Sequence, residues 1–171
     1  MTAVWEGLDA AGLGDAVIRR EPVKAPEEDL LRVHPAGHLE ALAALACSGG
    51  GRVDADTAMG PGSWTAARLA AGAGLVAVDS LRAGEADMAF CAVRPPGHHA
   101  TPTRSMGFCL LNNVAVTATA LADAGERVAI VDIDAHHGNG TQEAFFGDGR
   151  VLFASCHQWP LYPGTGAADE V

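Results

Sequence analysis

Basic residues are few in this chain, and nowhere do they form a cluster. The 171 residues include 11 lysines and arginines against 21 aspartates and glutamates, which gives a formal net charge of −10. Surfaces that bind nucleic acid carry concentrated positive charge, so direct binding to nucleic acid is not expected. The acidic balance is compatible with cationic substrates but does not identify one.

Cysteine is also sparse. The four cysteines, Cys47, Cys91, Cys109 and Cys156, show no CxxC spacing, so a zinc ribbon or a redox pair is not indicated. Their apolar neighbours predict small core residues with reduced thiols. Residues 1–14 contain acidic side chains and lack the basic start of a signal peptide. Together these features predict a cytoplasmic protein.

One uncharged run, residues 105–122, is long enough to raise the question of a membrane span. Four polar side chains interrupt it, and a strand is predicted soon after it, so we expect a buried helix and no membrane contact. Apolar residues make up 49% of the chain and charged residues 19%, as in globular proteins. The length suits one domain with a sizeable core.

Hydrophobic periodicity and turn residues predict that helices and strands alternate in the second half of the chain. The predicted helices are Thr2–Leu13, His34–Ala46, Ser63 to about Gly84, Asn112–Ala122 and Thr141–Phe146, and the predicted strands are Asp87–Val93, Val128–Ile133 and Val151–Ser155. Ser63 and Asn112 are the expected N-caps. Strands separated by single helices and short joins are typical of an α/β fold with a parallel sheet.

Polar residues follow each of the three predicted strands. His98 and His99 come after the first strand, residues 132–137 end the second, and residues 155–157 close the third. In open parallel sheets the ligand site lies outside the carboxyl ends of the strands. We therefore expect these three clusters to meet in one site.

The DIDAHH segment has the pattern of half a metal site. On an extended backbone, Asp132, Asp134 and His136 project from one face. Asp134 and His136 offer an oxygen and a nitrogen ligand, which suits zinc or a similar divalent ion, but no third ligand is evident. The alternative is an acidic strand end that forms hydrogen bonds within its loop.

Two histidine pairs lie elsewhere in the chain. His98 and His99 follow a Pro-Pro-Gly turn and suit acid–base chemistry, with Asp132 and Asn139 available to orient them. The alternative is a pair of exposed turn histidines. His34 and His38 lie four residues apart on a predicted helix, where they are either a metal pair or solvated or capping residues.

Several segments resemble the zinc-dependent histone deacetylase and acetylpolyamine amidohydrolase family. These segments are RPPGHHA at 94–100, GFCLLNN at 107–113, DIDAHHGNGT at 132–141 and SCHQWPLYPGTGAADE at 155–170. Residues 54–63 and the helix after them fit the same pattern. The resemblance covers essentially the whole chain. It implies a three-layer α/β/α fold with a mainly parallel sheet, and hydrolysis of an N-acetyl amine with zinc and a water molecule.

The resemblance also implies roles for individual residues. Asp134 and His136 match the zinc ligands, and His99 matches the general base that later protonates the leaving amine. His98 matches the histidine that assists electrostatically, with Asp132 as its buried partner. Asn139 stands where many members have aspartate; asparagine at this position occurs in the class II branch. Without that negative charge, His99 is expected to be less readily protonated.

Substrate and potassium contacts are implied in the same way. Gly107 and Phe108 match a backbone acceptor and an aromatic wall of the acyl-lysine tunnel, and Tyr162 matches the facing wall. Asp132 and Ser155 match side-chain ligands of a structural potassium ion. The backbone oxygens that complete this potassium site match Asp134, His136 and Cys156. The implied substrates are acetylated lysine peptides or acetylpolyamines, and an oligomer is compatible with the resemblance.

The family pattern continues beyond these residues. Its third zinc ligand, its oxyanion-stabilising residue and a glycine-rich motif follow the PGTG segment, and none is present in residues 1–171. The chain therefore resembles the N-terminal portion of a single deacetylase catalytic domain, with an incomplete fold, and is not expected to be active alone. Two alternatives stay open: an arginase-like ureohydrolase, and a non-catalytic fragment or pseudo-enzyme that only binds partners.

Overall fold

A computed structural model describes residues 2–170, which form six α-helices and four short strands. The helices are α1 (Thr2–Ala10), α2 (Glu27–Leu31), α3 (Ala36–Cys47), α4 (Ser63–Arg82), α5 (Asn113–Asp123) and α6 (Asn139–Phe145). The strands are β1 (Gly51–Arg52), β2 (Ala58–Met59), β3 (Val128–Asp132) and β4 (Val151–Ser155).

Strands β3 and β4 form a parallel pair joined by α6. Their register runs from Val128 opposite Val151 to Asp132 opposite Ser155. The two carboxyl ends therefore lie side by side, as the sequence predicted. Strands β1 and β2 form a separate antiparallel hairpin between α3 and α4.

Helix α5 lies between two hydrophobic clusters. Val116 belongs to a cluster with residues of α2, α3 and α4, while Ala115, Ala118 and Ala122 pack with residues of β3, β4 and α6. Asn112 caps the helix, because its Oδ1 accepts a hydrogen bond from the Ala115 N–H at 3.0 Å. The predicted buried helix and its cap are thus confirmed. Within residues 2–170, no helix is both long and apolar enough to cross a membrane.

The predicted strand Asp87–Val93 is wrong. This segment has no regular secondary structure, and Met88 and Phe90 are largely exposed. A strand exists only through hydrogen bonds to a neighbour, and among the described residues no backbone hydrogen bond joins 87–93 to β3. Val93 instead lines a cleft of about 550 Å³ together with Ile130, Val131 and Ile133.

Three cysteines also differ from the prediction. Only Cys109 is buried, whereas Cys47, Cys91 and Cys156 are exposed, although all four are free thiols. Cys91 lies in the unpaired segment just described, and Cys47 and Cys156 lie where α3 and β4 end. Apolar neighbours in the sequence were therefore a poor guide to burial at the ends of elements.

The start of α4 was predicted one residue late. Ser63 is the first helical residue, not its N-cap, and its Oγ accepts the N–H of Gly60 at 2.9 Å. Helix α1 ends at Ala10, three residues before its predicted end, and α2 was not predicted. Val4, Trp5 and Leu8, the large apolar residues of α1, are not buried.

His34 precedes α3 and does not form a helical metal pair with His38. Proline at position 35 makes the helix begin after His34. The His34 ring is fully buried, with Nδ1 3.0 Å from the carbonyl oxygen of Pro102 and Nε2 accepting the Asn112 N–H at 2.9 Å. The ring thus joins the N-terminal part of the chain to the start of α5.

Gly72 provides a test of the packing between α4 and the extended segment before α2. A Cβ at this position would clash with the carbonyl oxygen of Val23 and lie 2.8 Å from the amide nitrogen of Ala25. Gly72→Ala is therefore expected to lower the free energy of unfolding by about 1–3 kcal/mol, measured by chemical denaturation. Gly37→Ala, which has open space in α3, should be neutral or stabilising. Equal effects of the two substitutions would contradict this packing.

His34 predicts a loss of stability in mild acid. Burial lowers the pKa of this ring to about 4 from its usual 6.5. Between these values the unfolded chain binds the proton and the folded chain does not. The contribution of His34 to the free energy of unfolding should be complete above pH 6.5 and fall by about 1.4 kcal/mol per pH unit towards pH 4. Denaturation across this range measures it as the difference between the wild type and His34→Gln, which lacks the ring. Equal pH slopes in the two proteins would contradict the prediction.

Candidate functional site

The three polar clusters predicted at the strand ends meet at the carboxyl edge of β3 and β4. The loop that carries His98 and His99 is fixed by α6, whose first residues Gly140 and Thr141 donate their N–H groups to the His98 carbonyl oxygen at 2.9 and 3.2 Å. Asn112 donates from Nδ2 to the Ala100 carbonyl oxygen at 3.0 Å. The loop is thus held on both sides of its two imidazoles.

His98 and Asp132 form a largely buried pair. The His98 Nδ1 lies 2.9 Å from Asp132 Oδ2, and the two side chains are 17% and 12% exposed. Burial alone would raise the pKa of Asp132, but hydrogen bonds from His98 and from the Asp134 N–H hold this pKa below its usual range. The carboxylate is therefore charged and orients the His98 ring.

His99 is held as a neutral imidazole. It is almost fully buried, and its Nδ1 lies 2.9 Å from Asn139 Oδ1. An amide oxygen only accepts, so Nδ1 carries the proton and Nε2 keeps a free lone pair. Burial lowers the pKa of His99, as do the neighbouring rings of His98 and His136, against the opposing hydrogen bond to Asn139. A neutral ring with a free Nε2 is suited to act as a base.

Asp134 and His136 lie beside this base and are open to solvent. Asp134 Oδ1 and His136 Nδ1 are 3.3 Å apart, and their side chains are about half exposed. Ligands of a tetrahedral zinc ion with bonds of about 2.0–2.1 Å are about 3.3 Å apart, so this pair fits one edge of such a site. Residues 2–170 hold no cluster of three metal-binding side chains.

The donors predicted for potassium also lie together. Asp132 and Ser155 are opposite each other in the β3–β4 register. The Ser155 hydroxyl donates to His157 Nδ1 at 2.9 Å, because His157 Nε2 donates to the Gly166 carbonyl oxygen. The lone pairs of the Ser155 oxygen are then left for a cation, so the donor chemistry fits. In the part of the chain that the structure describes, the carbonyl oxygens of Asp134, His136 and Cys156 accept no hydrogen bond.

Of the three residues predicted to contact substrate, Tyr162 and Gly107 lie against His99, and Phe108 follows Gly107 in the chain. The Tyr162 ring meets the His99 and His136 rings edge-on, with centroids 5.0 and 5.9 Å apart. Gly107 lies so close to His99 that a Cβ would be 2.7 Å from the ring Cγ. Phe108 is exposed and adopts a left-handed backbone conformation with φ of 64°.

Sequence reasoning gave no role to several residues that support the site. Thr57 lies in the β1–β2 hairpin, and its Oγ1 accepts the Phe108 N–H at 2.9 Å. His137 and His157 bond to a loop after β4, as described below. His137, the second histidine of the DIDAHH segment, could have suggested a further contact from the sequence alone. Nothing in the sequence near Thr57 indicated its hydrogen bond with Phe108.

Fold and site together define an α/β domain with a paired-histidine centre beside an exposed aspartate–histidine pair. The model of the histone deacetylase domain family matches residues 1–171, and the chain belongs to this family. The crystal structure of the HDA15 HD domain superposes with a TM-score of 0.93 at 39% identity, over 99% of this chain and 50% of that one. The fold is therefore the arginase/deacetylase fold, as predicted.

Several curated relatives are named as deacetylases or as a deacetylase-like amidohydrolase. The histone deacetylase-like amidohydrolase of Pseudomonas aeruginosa is 46% identical over 167 residues, which are 96% of this chain and 44% of that protein. A "Probable deacetylase" of Archaeoglobus fulgidus is 46% identical over 157 residues, 91% of this chain and 44% of that protein. The chain spans about half the length of the curated relatives it matches.

The contact between His99 and Asn139 generates a titration test. In Asn139→Asp, a carboxylate replaces the amide oxygen 2.9 Å from His99 Nδ1 and favours the protonated ring. The pKa of His99 should therefore rise, and NMR titration of its ring protons would measure the change. Asn113→Asp, at an amide that bonds to the Pro95 carbonyl instead, is the matched control. An unchanged His99 titration in Asn139→Asp would show that the two side chains are not coupled.

Proposed function

We propose that this protein is a zinc-dependent amidohydrolase that removes acetyl or related acyl groups from lysine side chains or polyamines. The observation that carries the proposal is the position of His99. This base has its Nδ1 held by Asn139 and its Nε2 free, next to His136, whose Nδ1 lies 3.3 Å from Asp134 Oδ1. A base beside a pair of metal ligands is the arrangement that amide hydrolysis by water requires.

Asp134 and His136 would hold the zinc ion, together with a ligand from outside residues 1–171. When bound, zinc supplies Lewis-acid polarisation of the scissile carbonyl. His99 takes the proton of the attacking water at Nε2 and later delivers it to the nitrogen of the leaving amine. Burial favours the neutral ring before the reaction, so the base is ready at neutral pH.

His98 and Asp132 act on this proton transfer without performing it. The His98 and His99 rings are 4.0 Å apart, so the charge on one ring affects the other. Asp132, held in its charged form, stabilises positive charge on His98 and fixes the ring through Nδ1. We assign Asp132 a second role as a potassium ligand with Ser155, where the cation would hold the carboxyl ends of β3 and β4 together.

Tyr162, Phe108 and Gly107 form the proposed entrance for the acyl-lysine side chain. Tyr162 covers one side of His99 with an aromatic edge, and Gly107 lies directly against the His99 ring because it has no side chain. Aromatic walls suit the apolar methylene chain of lysine or of a polyamine. The acidic net charge is compatible with polyamines and with basic peptides. The proposed location is the cytoplasm, as the free cysteines suggest.

The test is an assay of the complete native protein on an acetyl-lysine peptide and on an acetylpolyamine. We expect release of acetate, loss of activity on chelation, and recovery with zinc. His99→Ala should lower kcat by about 100-fold or more, because general-base catalysis is removed. His38→Ala, a histidine outside the site, is the control. Activity that survives His99→Ala would refute the assigned base.

Metal content separates the remaining alternatives. About one zinc per chain supports the amidohydrolase, while two manganese ions per chain would support an arginase-like ureohydrolase. Neither metal together with no hydrolysis would indicate a protein that only binds partners. Asp134→Asn, which removes the charge of one proposed ligand, should abolish zinc retention in the same measurement.

A further inference from the structure

His137 and His157 are two histidines that the proposed reaction does not use. Their ring centroids are 4.7 Å apart, and His137 is almost completely buried. Each ring has both nitrogens in hydrogen bonds, and in each ring one of these bonds reaches the loop after β4. We call this pair the histidine clamp.

His137 connects α6 to the loop. Its Nε2 lies 2.7 Å from Gln142 Oε1, and its Nδ1 lies 2.8 Å from Thr165 Oγ1. The Gln142 oxygen only accepts, so Nε2 carries the proton and the Thr165 hydroxyl donates to Nδ1. Loss of the Thr165 hydroxyl would therefore leave a buried ring nitrogen without its partner.

His157 connects β4 to the next loop residue. Its Nε2 donates to the Gly166 carbonyl oxygen at 3.0 Å, and its Nδ1 accepts from Ser155. The Gly166 N–H donates to Glu170 Oε2 at 2.7 Å. Gly166 also lies directly against the clamp, because a Cβ there would clash with His157 Nε2 and lie 2.6 Å from His137 Cγ.

Residues 135–137 also hold the other end of this loop. The Gln158 N–H donates to the Ala135 carbonyl oxygen at 3.0 Å, two residues before His137. Residues 158 and 165 are thus both tied to residues 135–137. Tyr162 lies between these two attachments, with its ring edge-on to His99 and His136.

We propose that His137 and His157 are positioning residues that set the placement of Tyr162 over His99 and His136, and thereby the width of the acyl-lysine entrance. That the entrance admits acyl-lysine rests on the proposed function. The placement of Tyr162 does not depend on that function, because the hydrogen bonds hold the loop whatever the substrate is. Loosening the clamp should weaken substrate binding more than it slows the chemical step.

Two glycines of the loop offer a matched pair of variants. Gly164 and Gly166 have nearly equal left-handed conformations, with φ of 89° and 85°, so alanine strains the backbone similarly at both. A Cβ at Gly164 has open space, whereas one at Gly166 pushes against the clamp. The difference between Gly166→Ala and Gly164→Ala therefore isolates the contact with the two histidines.

In the native protein, Gly166→Ala should raise KM for an acetyl-lysine peptide about tenfold over Gly164→Ala, with kcat changed less than about threefold. An interaction made equally with substrate and transition state affects KM in this way. Thr165→Val should move KM in the same direction, and Thr165→Ser, which keeps the hydroxyl, should restore it. Equal KM values for the two alanine variants, or no difference between the valine and serine variants, would overturn the proposal.

A second measurement does not depend on activity. Fluorotyrosine incorporated in the native protein gives a ¹⁹F resonance for Tyr162, assigned by its loss in Tyr162→Phe. Gly166→Ala and Thr165→Val should shift or broaden this resonance, and Gly164→Ala and Thr165→Ser should not. If the wild-type protein hydrolyses no acyl amide, the proposed function is refuted. The ¹⁹F spectrum still shows whether the clamp positions Tyr162. An unchanged resonance in all four variants would rule the clamp out.

Discussion

The parallel pairing of β3 with β4 is the constraint on which the site depends. Its register sets Asp132 opposite Ser155 and leaves Asp134 and His136 just beyond the sheet edge. A slip of one residue would exchange the two faces of the strand and separate these groups. Helix α6, which connects the two strands, donates its first N–H groups to the His98 carbonyl oxygen. The sheet therefore also determines where the base-carrying loop lies.

Close backbone approach is the second feature of this site. A Cβ at Gly107 would meet the His99 ring, one at Gly138 would meet the Asp132 carboxylate, and one at Gly140 would meet the Ala100 carbonyl. Each glycine lies against a residue of the proposed machinery or its immediate neighbour. Any side chain there would displace an imidazole, a carboxylate or the backbone after His99 by more than hydrogen bonding tolerates. Glycine is therefore needed at these positions because the neighbouring polar groups leave no space for a side chain.

Burial distinguishes two Asp–His pairs whose aspartates are two residues apart in the sequence. His98 and Asp132 are largely enclosed, and the hydrogen bonds that Asp132 accepts from His98 and from the Asp134 N–H keep it charged against the effect of burial. Asp134 and His136 are about half exposed, and both can turn a donor atom towards an ion from solvent. The enclosed Asp132 orients the His98 ring, whereas the exposed Asp134 and His136 are accessible to an ion from solvent. The end of β3 therefore places an enclosed and an exposed carboxylate two residues apart.

The sequence by itself determined the family, the parallel α/β pattern, the buried α5 with its Asn112 cap, and the three polar clusters that meet in the site. These depend on local chemistry and spacing, which a chain displays directly. Tertiary structure alone decided that residues 87–93 remain unpaired, that His34 joins distant segments, and that His137 and His157 hold the Tyr162 loop. Each of these depends on which groups are brought within hydrogen-bonding distance, and residues as far apart as His34 and Asn112 meet only in the folded chain. A strand needs a neighbouring strand, and a buried imidazole needs a hydrogen-bond partner for each of its two nitrogens. These partners come from distant segments and cannot be predicted from the segment itself.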